Sequence, residues 1–507
     1  MDPDRPTERG GAALLTCLCA VLAAGPYFLR LTADPDLWWH VKTGLLILDV
    51  VAVPQADPFS FTFAGAPWFN HEWLAEVGLA LAYRAAGGAG LTLLRIALFT
   101  ATLAGLGWLL WRRLRQPLLA TAILVAALPT LDGFLSFRPH TWTYLLTIVF
   151  LLCLEGAAAG RPKLLLLLPP LMAIWVNLHG GFLTGLAVAT VGIASLAVGG
   201  EHGRKLRGAG PWIVLALTFL APFANPYGWR LVPYLAQELG ARHSFVPEWR
   251  SVAQTPGALP VFAAWTVVPL LALALALRHT RLAEATLFLG AVAATYRHVR
   301  FLPLLVIFGC LVLATATAPL WQRLTSEGLR RRLDSPVAAG VLAAALALLA
   351  APALARDARR KGLQLEVDVR QVPVLGTRAL AQLGLSGNLA TRLDWGGHAI
   401  WHLWPSWRVS IDGRNLTVYP ERFVERQLTA YDRGEPLAGL EGHPIDAVLF
   451  ESGGPGFEGM ARDPGWALIY RDPLSALFLP AATAERLAAS LSELPALSLD
   501  AGPVVFP

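Results

Sequence analysis

Charged residues are scarce in this 507-residue chain, where Asp, Glu, Lys and Arg together make up only 15%. Soluble domains carry about 25% charged residues, so the shortage excludes an ordinary soluble protein. Hydrophobic residues account for 55% of the chain, and most of them fall in long apolar runs. The composition therefore predicts a polytopic membrane protein, with the lipid bilayer as one of its partners.

Cysteine is also scarce, and all four cysteines (Cys17, Cys19, Cys153 and Cys310) lie inside apolar runs. This placement excludes a disulfide framework and a cysteine metal site. The sequence has no HExxH spacing, no internal repeat and no low-complexity segment. Its net charge of +6 comes from short basic clusters between apolar runs, so nucleic acid is not an expected partner.

The apolar runs define the predicted membrane spans. They cover residues 11–32, 90–111, 117–136, 141–159, 163–178, 181–199, 211–225, 258–277, 282–296, 301–320 and 336–355. A further run, 73–87, is short for a span. If it does not cross, all the simple basic loops, from Arg5 and Arg9 to Arg330, Arg331 and Arg332, lie on one side, which must be the cytoplasm. We therefore predict about eleven spans and an interfacial or re-entrant helix at 73–87.

The loops on the opposite side resemble one another, because each contains histidine and most contain Arg, Asn or Trp. They are 33–72, 136–140, 177–181, 225–257 and 295–300. This shared character indicates an extracytoplasmic site. The Ala, Leu, Gly and Arg bias favours a bacterial source, so the predicted location is the bacterial inner (cytoplasmic) membrane with the N-terminus in the cytoplasm.

After the last apolar run the chain changes character, and polar and apolar residues mix with Gly and Pro turns. We predict strands at 363–372, 407–411, 446–450, 467–470 and 476–479, and helices at 377–385 and 483–494. The predicted fold is thus an all-α polytopic membrane bundle with a C-terminal extracytoplasmic α/β domain. The predicted domains are a membrane domain at residues 1–356, with a large first external loop at 33–72, and the C-terminal domain at residues 357–507.

The first external loop opens with Asp34 and Asp36, followed by Trp38, Trp39 and His40. Carboxylates two residues apart do not share a helix face, so one can cap the next helix while the other points into a cavity. Asp36 lies closer to the tryptophans and is the preferred general base. Asp34 and Glu72 remain alternative bases, and simple capping remains the alternative for either aspartate.

His71 and Glu72 form a second acid and imidazole pair, bracketed by Trp68 and Trp73. Carboxylate and imidazole ligands suit a divalent ion, so a metal held by Asp36, His71 and Glu72 stays open, although no cofactor is certain. Asn177, His179 and Glu248 are further candidates for substrate contacts in the outer loops. Ile411-Asp-Gly-Arg414, in the C-terminal domain, has the pattern of a hairpin turn.

Arginines also occur in the predicted outer loops, although most basic residues lie in the predicted cytoplasmic loops. Arg138 and His140 open one span, and Arg297, His298 and Arg300 lie between two others. Guanidinium groups match the oxygens of a phosphate, so these residues predict a phosphate site. The alternative is that the side chains only extend from the bilayer to its polar surface.

These residues resemble the GT-C superfamily, integral-membrane glycosyltransferases that include protein mannosyltransferases and aminoarabinose transferases. Asp34-Pro-Asp36 lies where that family has its acidic motif. Asn70-His-Glu-Trp-Leu74 and Arg95 lie where it has a second loop helix and a downstream arginine. The resemblance covers roughly residues 11–300. The Asp-Glu pair common in relatives is absent, because Leu37 follows Asp36.

The resemblance implies inverting transfer of a sugar from a polyprenyl-phosphate donor to an external glycan, lipid or protein. Asp36 would be the base, arginines would stabilise the leaving phosphate, and tryptophan rings would stack on sugars. Two alternatives remain. A flippase for a lipid-linked sugar would need the arginines and aromatics but no base, and would favour repeat symmetry. A non-catalytic envelope assembly protein would use its external domain to bind a partner.

Overall fold

The structure is a computed structural model. It describes residues 16–19, 21–25, 27, 32–134, 136–198, 208–240, 246–276, 278, 281–333, 335–487 and 504–507. Contacts divide the chain into two compact units. The membrane unit comprises Met1–Arg30, Leu93–Trp229 and Arg242–Gly362, and the α/β unit comprises Leu31–Thr92, Arg230–Ala241 and Leu363–Pro507. The first loop thus groups with the C-terminal residues, a grouping that the sequence division at 356/357 does not contain.

The helices are numbered along the chain. Up to residue 361 they are α1 (Leu37–Val50), α2 (Trp73–Leu114), α3 (Pro117–Asp132), α4 (His140–Ala158), α5 (Leu168–Leu178), α6 (Phe182–Val198), α7 (Gly210–Leu220), α8 (Leu231–Gly240), α9 (Leu259–Leu275), α10 (Leu282–Arg297), α11 (Leu302–Leu324), α12 (Glu327–Leu333) and α13 (Pro336–Lys361). After it they are α14 (Val374–Gln382), α15 (Leu393–Leu403), α16 (Glu421–Arg433), α17 (Pro455–Arg462) and α18 (Ala481–Arg486).

Every apolar run predicted between residues 90 and 355 contains a helix. By length and composition, five helices within the described residues can cross a membrane, namely Trp73–Leu114, His140–Ala158, Pro256–Leu275, Val299–Leu324 and Gly340–Lys361. The protein is therefore a multi-pass membrane protein with a helical bundle. Arg5, Arg9, half of the first predicted span (11–32) and the basic segment 204–207 lie outside the described residues.

The predicted interfacial helix at 73–87 and the span that follows it are the two parts of α2. The helix is broken at Ala86, with φ −156° and ψ 28°, and at Gly87, with φ 56° and ψ −140°. A positive φ of this kind is readily adopted only by glycine. The break confirms the separation of the two helical segments, while the interfacial position of the first one stays a prediction.

The described part of residues 363–507 contains a five-stranded sheet of order β2-β1-β3-β5-β4. Its strands are β1 (Gly387–Thr391), β2 (Trp407–Val409), β3 (Ala447–Glu451), β4 (Trp466–Arg471) and β5 (Ser475–Pro480). The β2-β1-β3 pairs are parallel, and the β3-β5-β4 pairs are antiparallel. Of these five strands, four were predicted and β1 was missed. The helix predicted at 377–385 is α14, which spans Val374–Gln382.

The strand predicted at 363–372 is wrong. Only Glu366 forms isolated bridges there, with Thr32 and Val505. The alternating pattern has another origin, because Leu365 and Val367 are buried side chains of an extended segment. Helix 483–494 was predicted too long for what is described, since α18 spans Ala481–Arg486 and residues 488–503 lie outside the described part.

The first loop extends the parallel edge of the sheet. Phe61 N–H donates to the Val409 carbonyl at 3.0 Å, and Val409 N–H donates to the Phe59 carbonyl at 3.1 Å. Residues 59–61 therefore lie beside β2 as an additional extended segment. This pairing fixes the first loop against the residues that follow β2, which include Asp412, Gly413 and Arg414.

Candidate functional site in two clusters of charged and aromatic side chains

Asp36 is the N-cap residue of α1, but its side chain makes no capping hydrogen bond. Its Oδ1 instead accepts a hydrogen bond from Trp39 Nε1 at 3.3 Å. The Asp34 carboxylate accepts the backbone N–H of Asp36 at 2.9 Å, which is the geometry of an Asx turn. Asp34 therefore shapes the turn, and the half-buried carboxylate of Asp36 is the one held beside the aromatic side chains. The capping alternative for Asp36 is wrong.

The three side chains after Asp36 take different places. Trp38 is 1% exposed and packs against Phe506 at 4.3 Å and His398 at 4.7 Å between ring centroids. It has no open ring face in this structure, which leaves its predicted sugar contact without support. The ring of Trp39 lies 3.6 Å from that of His40. One turn of α1 therefore gathers the acid, one indole and the imidazole, while Trp38 turns into the core.

Glu76 is a site residue that the sequence did not reveal. It is completely buried in the first turn of α2, and its Oε2 accepts a hydrogen bond from Asn70 Nδ2 at 2.6 Å. Its Oε1 lies 3.2 Å from His40 Nδ1. The signal was a single acidic residue in an apolar helix, but hydrophobic periodicity alone does not distinguish such a residue from a solvent-facing one.

His71 and Glu72 lie together, as predicted, with 3.7 Å between His71 Nε2 and Glu72 Oε1. The hydroxyl of Tyr234 lies 3.3 Å from His71 Nδ1, and Tyr234 stacks on Phe69 at 4.1 Å. Helix α8 thus supports the end of the first loop. Among the described residues no three His, Cys, Asp or Glu side chains are close enough to form a metal site. The divalent ion stays an untested prediction, and no chemical step is assigned to it.

A buried ion cluster lies between the first loop and the segment after β2, within the α/β unit. Arg414 donates two hydrogen bonds to Asp412, at 2.8 and 2.7 Å, and its Nη1 is 2.6 Å from Asp57. All three side chains have no solvent exposure. The Tyr419 hydroxyl donates to Asp412 at 2.6 Å. The predicted Asp-Gly hairpin is wrong, because the turn at 412–414 leads into a 3-10 helix at Asn415–Thr417 and then into α16, not into a strand paired with β2.

The charges in this cluster are strongly coupled. Burial acts to lower the pKa of Arg414, but Asp412, Tyr419 and Asp57 outweigh it and hold that pKa well above its ordinary value. Burial, together with Asp412, raises the pKa of Tyr419. Arg414 therefore stays charged and Tyr419 stays a hydrogen-bond donor at neutral pH. The cluster is suited to fixing a structure rather than to exchanging protons.

In the membrane unit, Arg138 and Arg300 reach the same short segment, Pro247–Trp249. Arg138 Nη1 lies 3.6 Å from Glu248 Oε2, and both side chains are about one-third exposed (28% and 34%). The guanidinium of Arg300 lies over the Trp249 ring at 4.4 Å. The predicted group of three arginines is therefore only partly formed. Arg297 is exposed and makes no ion pair with any described residue.

Two histidines of the membrane unit, His140 and His298, lie in or beside the cluster of Arg138, Glu248 and Arg300. His140 Nε2 donates to the Phe134 carbonyl at 2.6 Å. It lies within the field of Glu248, Arg138 and Arg300. His298 Nδ1 donates to the Trp249 carbonyl at 2.6 Å. Both rings are thus oriented by backbone carbonyls, which fixes their tautomers.

His179 and Asn177 have structural partners. The Gly181 N–H donates to His179 Nδ1 at 2.9 Å, and the Thr143 hydroxyl lies 2.8 Å from the same nitrogen. That nitrogen is therefore an acceptor, and His179 is neutral. Asn177 donates to the carbonyls of Ala173 and Ala224. These contacts join helix ends, and the substrate roles predicted for both residues remain untested.

The membrane unit also contains a second ion network that the sequence did not predict. Arg113 lies 2.6 Å from both Glu155 and Glu284, and Arg281 lies 2.7 Å from Glu155. These residues join α2, α4 and α10 near the predicted cytoplasmic loops. Arg95, predicted as a family arginine, is 2% exposed and pairs with Asp132 at 2.9 Å.

No protein-family description matches this sequence, and no curated protein matches it. Among solved structures it is similar to ArnT from Cupriavidus metallidurans in the apo state, with TM-score 0.51 and 14% identity over 94% of this chain and 98% of that chain. The same ArnT bound to undecaprenyl phosphate gives TM-score 0.49 and 13% identity, over 92% and 98%.

The similarity to apo ArnT defines the class of fold. A helical membrane bundle is followed by an α/β domain, and the match extends over almost the whole length of both chains. This protein therefore has an ArnT-like fold, which confirms the GT-C-like fold implied by the sequence resemblance. At 14% identity, its activity has to be argued from its own residues.

Proposed function

We propose that this protein is a membrane glycosyltransferase that moves a sugar from a polyprenyl-phosphate donor to an acceptor outside the cytoplasm. The observation that carries the proposal is the Asp36 carboxylate. It is half-buried at the start of α1, is not used for capping, and is held by the indole N–H of Trp39. A carboxylate in this setting is suited to general-base catalysis. The GT-C-like fold supports the same reaction class.

The proposed reaction is a single displacement. The acceptor hydroxyl oxygen attacks the anomeric carbon of the sugar, and Asp36 takes the hydroxyl proton. The bond from that carbon to the phosphate oxygen breaks, and the electron pair leaves with the polyprenyl phosphate. The result is inversion at the anomeric carbon, and no metal ion is required by this scheme.

Arg138 and Arg300 have the proposed role of binding the donor phosphate. Arg138 lies 3.6 Å from Glu248, with both side chains partly exposed, and the guanidinium of Arg300 lies over the Trp249 ring. Both interactions can be exchanged for phosphate oxygens, to which guanidinium groups bind with two parallel hydrogen bonds. Stabilising the developing phosphate charge is commonly the largest single contribution to such catalysis. The sugar and the acceptor, a glycan, a lipid or a protein, are left unspecified.

The test is donor cleavage by purified protein in lipid nanodiscs, with a panel of radiolabelled polyprenyl-phosphate sugars and candidate acceptors. Asp36→Asn keeps the size of the side chain and its bond to Trp39 but removes the base. We expect its rate to fall about 10²–10⁴-fold. The matched control is Asp34→Asn, which retains the acceptor oxygen of the Asx turn and should transfer at nearly the wild-type rate.

The control also separates the alternatives. If Asp34→Asn loses more activity than Asp36→Asn, the base is Asp34. If Glu72→Gln alone removes activity, the base is Glu72. The proposal would be contradicted if the protein moved the lipid-linked sugar across the bilayer without cleaving it, and if the Asp36→Asn variant did so equally well. The protein would then be a flippase.

We also propose that the α/β unit faces the outside of a bacterial inner membrane. The basis is the concentration of basic clusters on one side of the predicted topology. Single cysteines replacing Arg323 and Arg408, both exposed, can be labelled from one side of the membrane in a chain without its native cysteines. Position 323 should react only from the cytoplasm and position 408 only from outside. Labelling of both positions from the same side would contradict this orientation.

A further inference from the structure

Gly413 lies against the two residues on which the proposed function depends. A methyl group added at this position would overlap Asp36 Oδ1, and it would lie 3.1 Å from Asp36 Cγ and 2.9 Å from Trp39 Nε1. The backbone at 413 therefore forms one wall of the space that the carboxylate occupies. Its φ is not in the left-handed region, so an alanine would be accepted by the backbone itself.

The residues on both sides of Gly413 are fixed. Arg414 is completely buried and bonds to Asp412 and Asp57, and Asp412 also accepts the Tyr419 hydroxyl at 2.6 Å. Asp57 is held in turn by the backbone N–H of Phe59 at 2.9 Å. Because both neighbours are anchored, Gly413 cannot move away from Asp36 without breaking the ion cluster.

Helix α15 also packs against the start of α1 through a glycine. A methyl group at Gly397 would lie 2.8 Å from the Pro35 carbonyl and 3.2 Å from Trp39 Cδ1. Gly397 therefore lets α15 lie directly against residues 35–39, and Gly396 lets it lie against the backbone of Ile411 and Asp412. Two segments of the C-terminal residues, α15 and the turn at 412–414, thus pack around the start of α1.

From this geometry we infer that the Asp412-Gly413-Arg414 turn positions the Asp36 carboxylate for the transfer reaction. The inference rests on the proposed function and extends it, because it makes the C-terminal residues part of the reaction site rather than a separate appendage. Arg414 and Asp412 are positioning residues, since they act on Asp36 through Gly413. Glycine is needed at 413 because a side chain there would displace the carboxylate.

The main test is Gly413→Ala in the donor-cleavage assay. The added methyl group meets the end of a side chain rather than backbone, so the carboxylate should move while the fold remains. A displacement of about 1 Å can cost roughly 10²-fold in rate, so we expect kcat to fall by about that factor. The KM for the donor should change little, because no donor-binding side chain is altered. A purely structural role would instead lower the melting temperature and leave kcat per folded molecule unchanged.

The matched control is Gly453→Ala, since a methyl group there meets no atom within 4 Å and the φ is not in the left-handed region. It should behave as wild type. Trp39→Phe supplies a second variant in case Gly413→Ala folds poorly. It keeps an aromatic ring but removes the N–H that holds Asp36, and its kcat should fall about 10- to 100-fold, as expected for a lost bond to a charged group.

A measurement without catalysis separates this inference from the proposed function. In a chain without native cysteines, Asp36→Cys with Gly413→Cys should form a disulfide on mild oxidation, and Asp36→Cys with Gly453→Cys should not. Failure to form the first crosslink overturns the contact and the inference. A crosslink with full activity of Gly413→Ala overturns the positioning role but leaves the transferase intact. A crosslink with no transfer from any donor by the wild-type chain overturns the proposed function and its extension together.

Discussion

The protein holds its arginines in two contrasting ways. In the α/β unit, Arg414 has no solvent exposure and is locked between Asp57 and Asp412 at 2.6–2.8 Å. In the membrane unit, Arg138 is 28% exposed and its contact with Glu248 is a loose 3.6 Å. A buried ion pair is costly to break because it leaves a charge without compensation, whereas an exposed pair contributes little. The first arrangement therefore fixes a structure, and the second is available for a ligand.

The contrast teaches that the number of charged neighbours is a poor guide to function. Arg414 is a poor candidate for binding a phosphate, because its guanidinium is fully buried and held by Asp57 and Asp412. Arg138 and Arg300 are better candidates, because their side chains are partly exposed. By the same reasoning, the network of Arg113 and Arg281 has a structural role, as Arg414 has, because it joins helices through largely buried ion pairs.

The largest effect that would test this contrast is expected from Arg414→Met. Removing one partner of a buried ion cluster costs about 3–5 kcal/mol, because Asp57 and Asp412 would remain buried and uncompensated. The measurement is unfolding of the α/β unit, followed by protease resistance in detergent. Arg426→Met is the matched control. Arg426 also forms an ion pair, with Glu441 at 3.0 Å, but both of these side chains are more than half exposed. It should cost about 0–1 kcal/mol. Equal costs would remove the distinction between the two classes.

The second prediction concerns Arg300→Gln, which should lower the rate of donor cleavage with little effect on stability. Loss of one donor that stabilises a developing oxyanion costs about 10²–10³-fold. The control is Arg297→Gln, since Arg297 lies three residues away and its side chain is exposed. This substitution should lower the rate by less than about threefold. If the two variants lose activity equally, Arg300 has no special role and the phosphate site must be sought elsewhere.

The sequence predicted the helices between residues 90 and 355 well, because apolar runs of this length are typical of helices. It also predicted Arg138, His140, Glu248, His298 and Arg300 as outer-side candidates, and all five belong to or adjoin one cluster. Loop charges of this kind are visible because they interrupt hydrophobic segments. Their exact partners were not predicted, and Arg297 was included although its side chain is exposed.

The residues that the sequence missed are those whose partners are far away in the chain. Arg414 was assigned to a local hairpin turn, since Asp-Gly is a common turn signal, and Asp57 was not singled out. Their pairing depends on residues 59–61 lying beside β2, which no local pattern indicates. Glu76 was hidden in the same way, because its partners Asn70 and His40 come from two other segments.

The third prediction tests Glu76, a buried carboxylate that bonds to an imidazole and an amide instead of an arginine. Glu76→Ala removes the carboxylate that accepts from the Asn70 amide and lies against the His40 ring, which should cost about 1–3 kcal/mol of stability. Glu76→Gln keeps an acceptor oxygen for Asn70 and should cost less. Glu435→Ala, at an exposed position, should be neutral. A Glu76→Ala chain as stable as the wild type would show that these bonds add nothing to the fold.

The smallest effect is expected from pH, and it concerns a buried group that must stay neutral. Burial lowers the pKa of His398 well below its ordinary value, and the like charges of His402 and Arg378 act in the same direction. The unfolded chain therefore takes up a proton near pH 6.5 while the folded chain does not. Stability should be fully present above that pH and should fall as the pH drops below it. For one proton, the loss between pH 7.5 and pH 5.5 is about 1.4 kcal/mol.

Thermal unfolding in detergent across this pH range measures the effect, and variants identify its source. His398→Asn can keep a bond to Thr377, which now lies 3.2 Å from His398 Nδ1, but it has no proton to gain. Its stability should therefore depend less on pH between 7.5 and 5.5 than that of the wild type. His443→Asn, at an exposed position, should leave the dependence unchanged. If His398→Asn and the wild type lose stability in parallel, the acid sensitivity arises elsewhere, and burying a neutral histidine beside α1 has no measurable cost. If only the wild type is sensitive, the α/β unit contains a buried imidazole that, unlike Arg414, is tolerated because it stays uncharged.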